Sequence, residues 1–384
     1  MKKKIFGLIY IFVTLGITLY VCFYTTDFTV LANVLGNINW LWIIPPLLLM
    51  VLYVLLEAFP QFLIYRRRGY KMTFGQQAKI GLIGLYYSGI TPSSSGGQPM
   101  QVVYLSKMNL PIGLSSYLST LKTFFFQAIM TIFCFTGYMT HLDFVRANYS
   151  AASKFVWLGL GLNVIMLTGM LLLVIKPAIL QRFTRFVSRI LAKFIGGRKT
   201  VPIRRKALEE VKYFHKAFKN SQRHPSDYIY TFLVTLVQIT AYLSISFFIH
   251  KAFGLPKESF FMLFSVQALV VCAVSFIPLP GSAGAQEVGY YSFFLPFFGE
   301  GAIFPAMILW RILTSYLTIL TGAGVVMVDT IISFRKNKKS GGEGEHSGDT
   351  GESGGVGDSH EVGDAGDVEK AAASPEAIEE NVQA

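Results

Sequence analysis

The chain has 384 residues, of which 52% are hydrophobic, 15% are aromatic and only 15% are charged. Soluble domains carry nearer a quarter charged residues, so this composition excludes a soluble globular protein and predicts an integral membrane protein. The formal net charge of +12 combines +23 in residues 1 to 340 with −11 in residues 341 to 384. Basic segments beside a bilayer orient a protein and contact anionic lipid, so we expect phospholipids as partners and no nucleic acid.

Apolar runs long enough to cross a bilayer predict six spans. The first follows the lysines at positions 2 to 4 and lacks a convincing small-residue cleavage site, so it is predicted to be a retained span rather than a signal peptide. The predicted spans lie at 5 to 24, 41 to 65, 113 to 139, 155 to 175, 228 to 250 and 302 to 332.

Two further apolar stretches, at 78 to 107 and 260 to 298, are each interrupted by a polar, helix-breaking motif. The motifs are T-P-S-S-S-G-G-Q-P from Thr91 and P-G-S-A-G-A-Q-E from Pro280. Freed backbone groups at membrane depth are tolerated only inside protein or beside a wet cavity, so such a pair of breaks indicates a transporter binding site. At a fixed offset the motifs share Pro92 and Pro280, Ser94 and Ser282, Gly96 and Gly284, and Gln98 and Gln286.

The charges predict an inverted repeat. Basic clusters at 2 to 4, 66 to 68, 176 to 223 and 335 to 339 are expected to be cytoplasmic, as are both termini. Each broken stretch must then return to the side from which it started, which favours two re-entrant hairpins entering from opposite faces. If residues 260 to 298 instead form two short tilted spans, the number of membrane crossings is still even and both ends stay on the same side.

The predicted fold is therefore an all-α polytopic membrane protein with about six spans and two re-entrant hairpins. Residues 1–332 form the transmembrane domain, with a first half at 41–139 and an inverted second half at 228–332. Residues 176–227 form a basic cytoplasmic loop whose alternating basic and apolar residues are typical of an interfacial helix. Residues 333–384, rich in glycine, serine and acids, are a predicted disordered cytoplasmic tail.

Buried charges are the first candidates for a binding site. Glu287 ends the second motif, Arg311 lies in the following span, and we expect the two to pair across a wet cavity. Lys122 lies 24 residues after Gln98, much as Arg311 lies 25 residues after Gln286. Two buried cations suit an anionic head group such as phosphate. The alternative is that the pair only locks helices together.

The motif residues have two interpretations. Their backbone N–H groups form a phosphate-binding nest, or their small side chains permit close packing at a hairpin tip. Glu57, nearer a span end, is expected to snorkel or to cap locally. Hydrolase, nucleotide-binding and metal motifs are absent from the sequence, so no catalytic residue, metal or cofactor is predicted. The candidate binding residues are Ser94, Ser95, Gly96, Gly97, Gln98, Lys122, Ser282, Gly284, Gln286, Glu287 and Arg311.

Both motifs, together with the downstream Trp310-Arg311, resemble the lysylphosphatidylglycerol synthase transmembrane-region family, the flippase-like membrane part of the bacterial multiple peptide resistance factor. The resemblance covers about residues 5 to 332. It implies movement of aminoacylated phosphatidylglycerol to the outer leaflet of the plasma membrane and resistance to cationic antimicrobial peptides. Lysyl transfer belongs in that family to a soluble C-terminal domain, and here an acidic tail stands in its place, as in a stand-alone member.

The leading hypothesis is thus a flippase-like translocase of an anionic or aminoacylated phospholipid or other lipid-phosphate. One alternative is a phosphatidylglycerol lysyltransferase, acting alone or with a partner subunit. The other is a scaffold that transports nothing and recruits a synthase or anionic lipid through its basic loop.

Overall fold

The computed structural model describes residue 36 and residues 38–149, 152–195, 197–275, 277–279 and 281–342. These residues form helices and connecting turns, without a β-strand in the described part of the chain. The first predicted span, Pro280 and the acidic tail after 342 lie outside them. The helices are α1 (Ile44–Arg67), α2 (Phe74–Ile90), α3 (Gly97–Ser106), α4 (Ile112–Thr140), α5 (Leu142–Asn148), α6 (Ala152–Ile175), α7 (Pro177–Ile195), α8 (Gly197–Gln222), α9 (Pro225–Ala252), α10 (Phe260–Val274), α11 (Ala285–Arg311) and α12 (Leu317–Gly342).

Several helical stretches are long and apolar enough to cross a membrane, so the all-α polytopic prediction is confirmed. Each contains or closely matches a predicted span, because long apolar runs fix the existence of a membrane helix before any packing occurs. The candidate spans are Trp40–Arg67, Ile112–Thr140, Ser153–Ile175, Pro225–Ala252 and Ala285–Ile332.

The broken motifs form two helix–loop–helix hairpins. Hairpin 1 is α2, the loop Thr91–Gly96 and α3, and hairpin 2 is α10, the loop 275–284 and the first part of α11. The helix resumes at equivalent positions, one residue after Gly96 and one after Gly284. The equivalent residues Ser94 and Ser282 also share left-handed backbone, with φ of 55° and 51°. The two loops therefore share left-handed backbone at this serine as well as four residue types, but they differ at the equivalent glycines, where φ is −83° at Gly96 and 82° at Gly284.

Helix length favours the re-entrant form. The ten residues of α3 rise about 15 Å and the fifteen of α10 about 22 Å, whereas the hydrocarbon core is about 30 Å thick. Neither limb is long enough to cross a bilayer by itself. Each hairpin therefore turns back on itself within the membrane thickness.

The hairpins start from opposite ends of the protein. Helices α1 and α9 run antiparallel, since Asp227 lies 3.0 Å from Arg68 at one end and the Asn39 N–H donates to the Ala252 carbonyl at the other. Hairpin 1 begins at the Arg68 end, where the Phe74 ring packs on α1, and hairpin 2 begins and ends at the Ala252 end, where Phe298 packs on Phe253. The inverted arrangement predicted from loop charges is present in the packing.

The tips of the hairpins meet. The Ser93 N–H donates to the Leu279 carbonyl and the Gly281 N–H donates to the Thr91 carbonyl, both at 3.4 Å. The backbones come so close that a Cβ on Gly281 would lie 2.5 Å from the Gly89 carbonyl oxygen. The two motifs therefore form one structural unit where the halves join, as expected of an inverted repeat.

Helix α11 contains a chain reversal. Gly299 has a φ of 67° and a ψ of 168°, and the Tyr290 and Trp310 rings stack with centroids 4.7 Å apart. In a straight helix those residues would lie about 30 Å apart, so the chain folds back at Gly299 and the last span starts there, close to the predicted 302. The compact unit ends at Ile331, close to the predicted boundary at 332, and α12 continues beyond it to Gly342 through the basic cluster, whose lysines and arginine are good helix formers.

The basic segment 176–227 forms α7, α8 and the start of α9. Helix α7 has the predicted amphipathic pattern and leaves Phe183 and Phe186 more than half exposed. Helix α8 packs on α4, where Glu210 accepts the Gly113 N–H at 2.8 Å and the Phe214 ring contacts Tyr117. Within the segment predicted to be interfacial, α8 therefore packs on a membrane-spanning helix, and lipid contact by α7 stays a prediction.

The orientation of the loops is testable with a membrane-impermeant maleimide. Position 257 is expected outside and position 212 inside, and both lysines are exposed, whereas Cys134 and Cys272 are buried. In a Cys22→Ser background, Lys257→Cys is expected to react in intact cells and Lys212→Cys only after permeabilisation. The reverse pattern would contradict the topology.

Hairpin 1 depends on a close crossing at Gly97. A Cβ there would lie 2.0 Å from Ser88 Oγ and 2.6 Å from the Gly84 carbonyl oxygen. We expect Gly97→Ala to destabilise the protein by about 1–3 kcal/mol, the usual cost of overpacking, measured as thermal unfolding in detergent. Gly161→Ala is the matched control because nothing lies within 4 Å of its new methyl group. Equal melting temperatures for the two variants would contradict this packing.

Candidate functional site

The predicted ion pair in the second half forms. Arg311 Nε donates to Glu287 Oε1 at 2.7 Å, and its side chain is 4% exposed. Arg311 Nη1 also donates to Gln286 Oε1 at 2.5 Å and to Ser315 Oγ at 2.8 Å. Glu287 Oε2 accepts the Gly284 N–H at 2.7 Å. Arg311 thus holds both polar residues that end the second motif.

Local structure places this pair. Glu287 lies in the first turn of α11, where a carboxylate complements the free N–H groups of a helix start. Arg311 is the last residue of α11 and precedes a π-helical turn, Ile312–Tyr316, which brings Ser315 under the guanidinium. The guanidinium carbon also lies within 6 Å of the Trp310 and Tyr316 ring centroids, a cation–π arrangement.

A second buried ion pair, between Glu57 and Lys122, lies in the first half. Lys122 Nζ donates to Glu57 Oε1 and, at 3.1 Å, to the Glu57 backbone carbonyl. Gln238 Nε2 donates to Glu57 Oε2 at 2.9 Å, and Gln101 Nε2 approaches Oε1 at 3.4 Å. Both side chains of the pair are 10% exposed. The prediction that Glu57 snorkels is wrong, because α3, α4 and α9 surround it with donors.

The halves hold their cations in partly equivalent ways. Gln286 binds Arg311 directly, whereas its equivalent Gln98 donates to Thr123, the neighbour of Lys122. The carboxylate is not equivalent, since Glu287 belongs to the motif and Glu57 belongs to α1. Lys122 and Arg311 therefore occupy equivalent positions, as expected, but the carboxylates that pair with them do not.

Two tyrosines pack against each other beside the Glu57–Lys122 pair. The Tyr53 and Tyr242 ring centroids are 5.5 Å apart. Tyr53 precedes Glu57 by one turn of α1, and Tyr242 follows Gln238, which donates to Glu57, by one turn of α9. Neither tyrosine was predicted from the sequence, where the only signal that points to them is their spacing of one helical turn from Glu57 on α1 and from Gln238 on α9.

The first motif does not form an open nest. The N–H groups of Ser94 and Ser95 donate to the Thr91 and Pro92 carbonyls, and the Gly96 N–H donates to Thr91 Oγ1 at 2.8 Å. Ser94 and Ser95 remain exposed at the tip. Ser95 Oγ donates to the Pro92 carbonyl at 2.8 Å, so a ligand finds the Ser94 hydroxyl and an acceptor lone pair of Ser95. Gly97 is buried at the α2–α3 crossing, which supports the close-packing interpretation for that glycine.

In the second loop, Ser282 is 4% exposed and its backbone carbonyl accepts the Gln286 N–H, whereas Gly284 is exposed. With a φ of 82°, Gly284 adopts a conformation that favours glycine and directs the chain into α11. Ser282 and Gly284 therefore shape the loop around Glu287. Within residues 38–149, 152–195, 197–275, 277–279 and 281–342, no three histidine, cysteine or acidic side chains are grouped to hold a metal ion.

The charges of the site cancel in pairs. An anion alone must displace a carboxylate from Arg311 or from Lys122. A head group with both a phosphate and an ammonium can instead exchange partners, giving each cation an anion and each carboxylate a cation. This exchange avoids leaving a buried charge unpaired, the costly situation in a low-dielectric interior.

Replacing one residue of the Glu57–Lys122 pair tests whether the pair is buried. Glu57→Gln leaves the Lys122 ammonium without its counter-charge, so we expect a loss of about 3–5 kcal/mol in thermal unfolding measurements in detergent. The double variant Glu57→Leu/Lys122→Met is expected to recover most of that loss. Lys79→Met, which removes a partly exposed pair with Asp329, is the control and should cost no more than about 1 kcal/mol. A small effect of Glu57→Gln would contradict the buried pair.

Two comparisons with known proteins agree with this architecture. A UPF0104 membrane protein of Archaeoglobus fulgidus is 27% identical over 336 residues, which cover 85% of this chain and 98% of the relative. The family model described as lysylphosphatidylglycerol synthase TM region matches residues 6–322, which include both hairpins and both ion pairs. The chain therefore belongs to the lysylphosphatidylglycerol synthase transmembrane-region family.

Proposed function

We propose that the protein is a lipid translocase that moves a phospholipid bearing both phosphate and ammonium, such as an aminoacylated phosphatidylglycerol, between leaflets. The observation that carries the proposal is the meeting of two hairpin tips, approached from opposite ends, beside two buried ion pairs. That arrangement is typical of binding sites at the junction of inverted repeats. The name of the protein family, lysylphosphatidylglycerol synthase TM region, points to the same class of lipid.

A lipid head group crosses a bilayer slowly because its charges lose their hydration in hydrocarbon. A translocase must supply replacement partners along the way while the acyl chains remain among lipid. The exposed Ser94 and Ser95 hydroxyls at the tip of hairpin 1 are suited to first contact with the head group. The ion pairs then supply charged partners deeper in the protein.

Exchange of partners gives selectivity. The guanidinium of Arg311 can hold a phosphate by two parallel hydrogen bonds, which releases Glu287 to bind the ammonium of the lipid. A lipid without an ammonium would leave Glu287 unpaired. A lipid without a phosphate would offer Arg311 and Lys122 no new anion, so both would stay bound to their carboxylates. We therefore expect aminoacylated phosphatidylglycerol to move faster than phosphatidylglycerol.

In a plasma membrane, export of such a lipid would lower the negative surface charge and weaken the binding of cationic peptides.

The test is head-group movement in proteoliposomes that contain the purified full chain and labelled lysylphosphatidylglycerol. Arg311→Lys keeps the charge and loses the paired hydrogen bonds, so we expect at least about a tenfold slower movement. Arg205→Lys is the control, because Arg205 is exposed on α8 and 84% of its side chain is accessible. Gel filtration checks that both variants stay folded.

Movement no faster than in protein-free vesicles would contradict the proposal. Equal rates for lysylphosphatidylglycerol and phosphatidylglycerol would contradict the partner exchange.

A further inference from the structure

Helix α9 carries a polar stripe on the face that packs into the protein. Its members recur every three or four residues and fall within about a third of the helix circumference. Apart from Tyr242, which is half-buried, each is at most 2% exposed. The stripe consists of Thr231, Thr235, Gln238, Tyr242, Ser246 and His250.

The stripe is as long as a membrane is thick. From Thr231 to His250 it rises about 29 Å, against about 30 Å for the hydrocarbon core of a bilayer. One turn before Thr231, Asp227 pairs with Arg68 at the end of the protein that carries the basic segment. The opposite end of α9 lies at Ala252, beside Asn39. The stripe therefore connects the two ends of the bundle.

The middle of the stripe contacts the first ion pair. Gln238 donates to Glu57, and the Tyr242 ring packs on Tyr53. Further along, Ser246 Oγ donates to Gln267 Oε1 on α10 at 2.5 Å. No other function described above uses Ser246, Gln267 or His250.

Several polar atoms along the stripe are buried without a hydrogen-bond partner. They are Thr235 Oγ1 and His250 Nε2 on α9, Gln267 Nε2 on α10 and the Tyr290 hydroxyl on α11. The Tyr290 hydroxyl lies beside Ser246 but does not form a well-oriented hydrogen bond with it. Polar side chains that only hold membrane helices together are paired with each other. Unpaired buried polar atoms are expensive in hydrocarbon, so a role beyond helix packing is expected of them.

We infer that this stripe is a proton pathway through the membrane and that a proton gradient drives lipid movement. The pathway is argued from α9 and its neighbours alone, whereas its coupling to a head group rests on the proposed function. Each hydroxyl, imidazole or bound water takes a proton on one side and releases one on the other. One proton crosses, and every group returns to its starting state.

Glu57 is the group that links the proton to the lipid. A proton on its carboxylate cancels the charge that holds Lys122, which frees the ammonium to bind a phosphate. Gln101 and Gln238 are its other partners, and Tyr53 lies on its own helix. At the far end, His250 packs on the Phe298 ring, with Lys251 and Glu258 as the nearby charges.

The experiment measures proton entry into vesicles that contain the full chain and a trapped pH-sensitive dye, after a potassium gradient and valinomycin impose a membrane potential. We expect faster entry than into protein-free vesicles. Ser246→Ala and His250→Gln should each reduce it to the protein-free rate. Ser244→Ala is the matched control, because Ser244 lies on the other face of α9 and its hydroxyl bonds locally to the Thr240 carbonyl. It should conduct like the wild type.

Proton entry at the protein-free rate, or equal entry in Ser244→Ala and Ser246→Ala, would overturn the pathway. Lipid movement is followed in the same vesicles with and without a protonophore. Equal rates of lipid movement with and without the protonophore would overturn the coupling and leave the proposed function intact. Proton entry that depends on Ser246 without any lipid movement would instead support the pathway and contradict the proposed function.

Discussion

The Glu57–Lys122 ion pair fixes the register of the first half of the protein. Its carboxylate lies on α1, its ammonium on α4, and its remaining hydrogen-bond donors on α3 and α9. Because an unpaired charge at this depth costs several kcal/mol, none of these four helices can slide along another without exposing one. The position of hairpin 1 relative to the spans follows from that constraint.

The Glu287–Arg311 pair has a different structural role. Both residues belong to α11, and they meet only because the chain folds back at Gly299. This pair ties the loop of hairpin 2 to the start of the last span, whereas the first pair ties separate helices together. A ligand that takes Arg311 from Glu287 would therefore release a loop, and one that takes Lys122 from Glu57 would loosen the bundle.

The contact between the two hairpin tips is weaker than the packing at the hairpin bases. The two hydrogen bonds between the hairpin tips are 3.4 Å long, beyond the usual range for N–H···O bonds, and no ion pair of the described residues crosses between the two loops. Large apolar clusters lie instead at each hairpin base, around Phe298 and around Leu105. Separation at the tips, with the bases held, is the motion that this distribution of contacts allows.

Local chemistry determined much of this protein. Apolar runs set the spans, proline and glycine set the two breaks, and loop charges indicated that the hairpins are inverted, because each of these depends on neighbouring residues alone. The pairing of Glu287 with Arg311 was also predictable, since an arginine was the only basic residue in the adjoining span. Only the tertiary structure showed that Glu57 binds Lys122, 65 residues away, and that Tyr53 packs on Tyr242. It alone decided that α8 packs on α4, because such partners are chosen by the packing of helices distant in sequence. It also showed that the Ser94 and Ser95 N–H groups are already bonded, to carbonyl groups three residues earlier in the same loop.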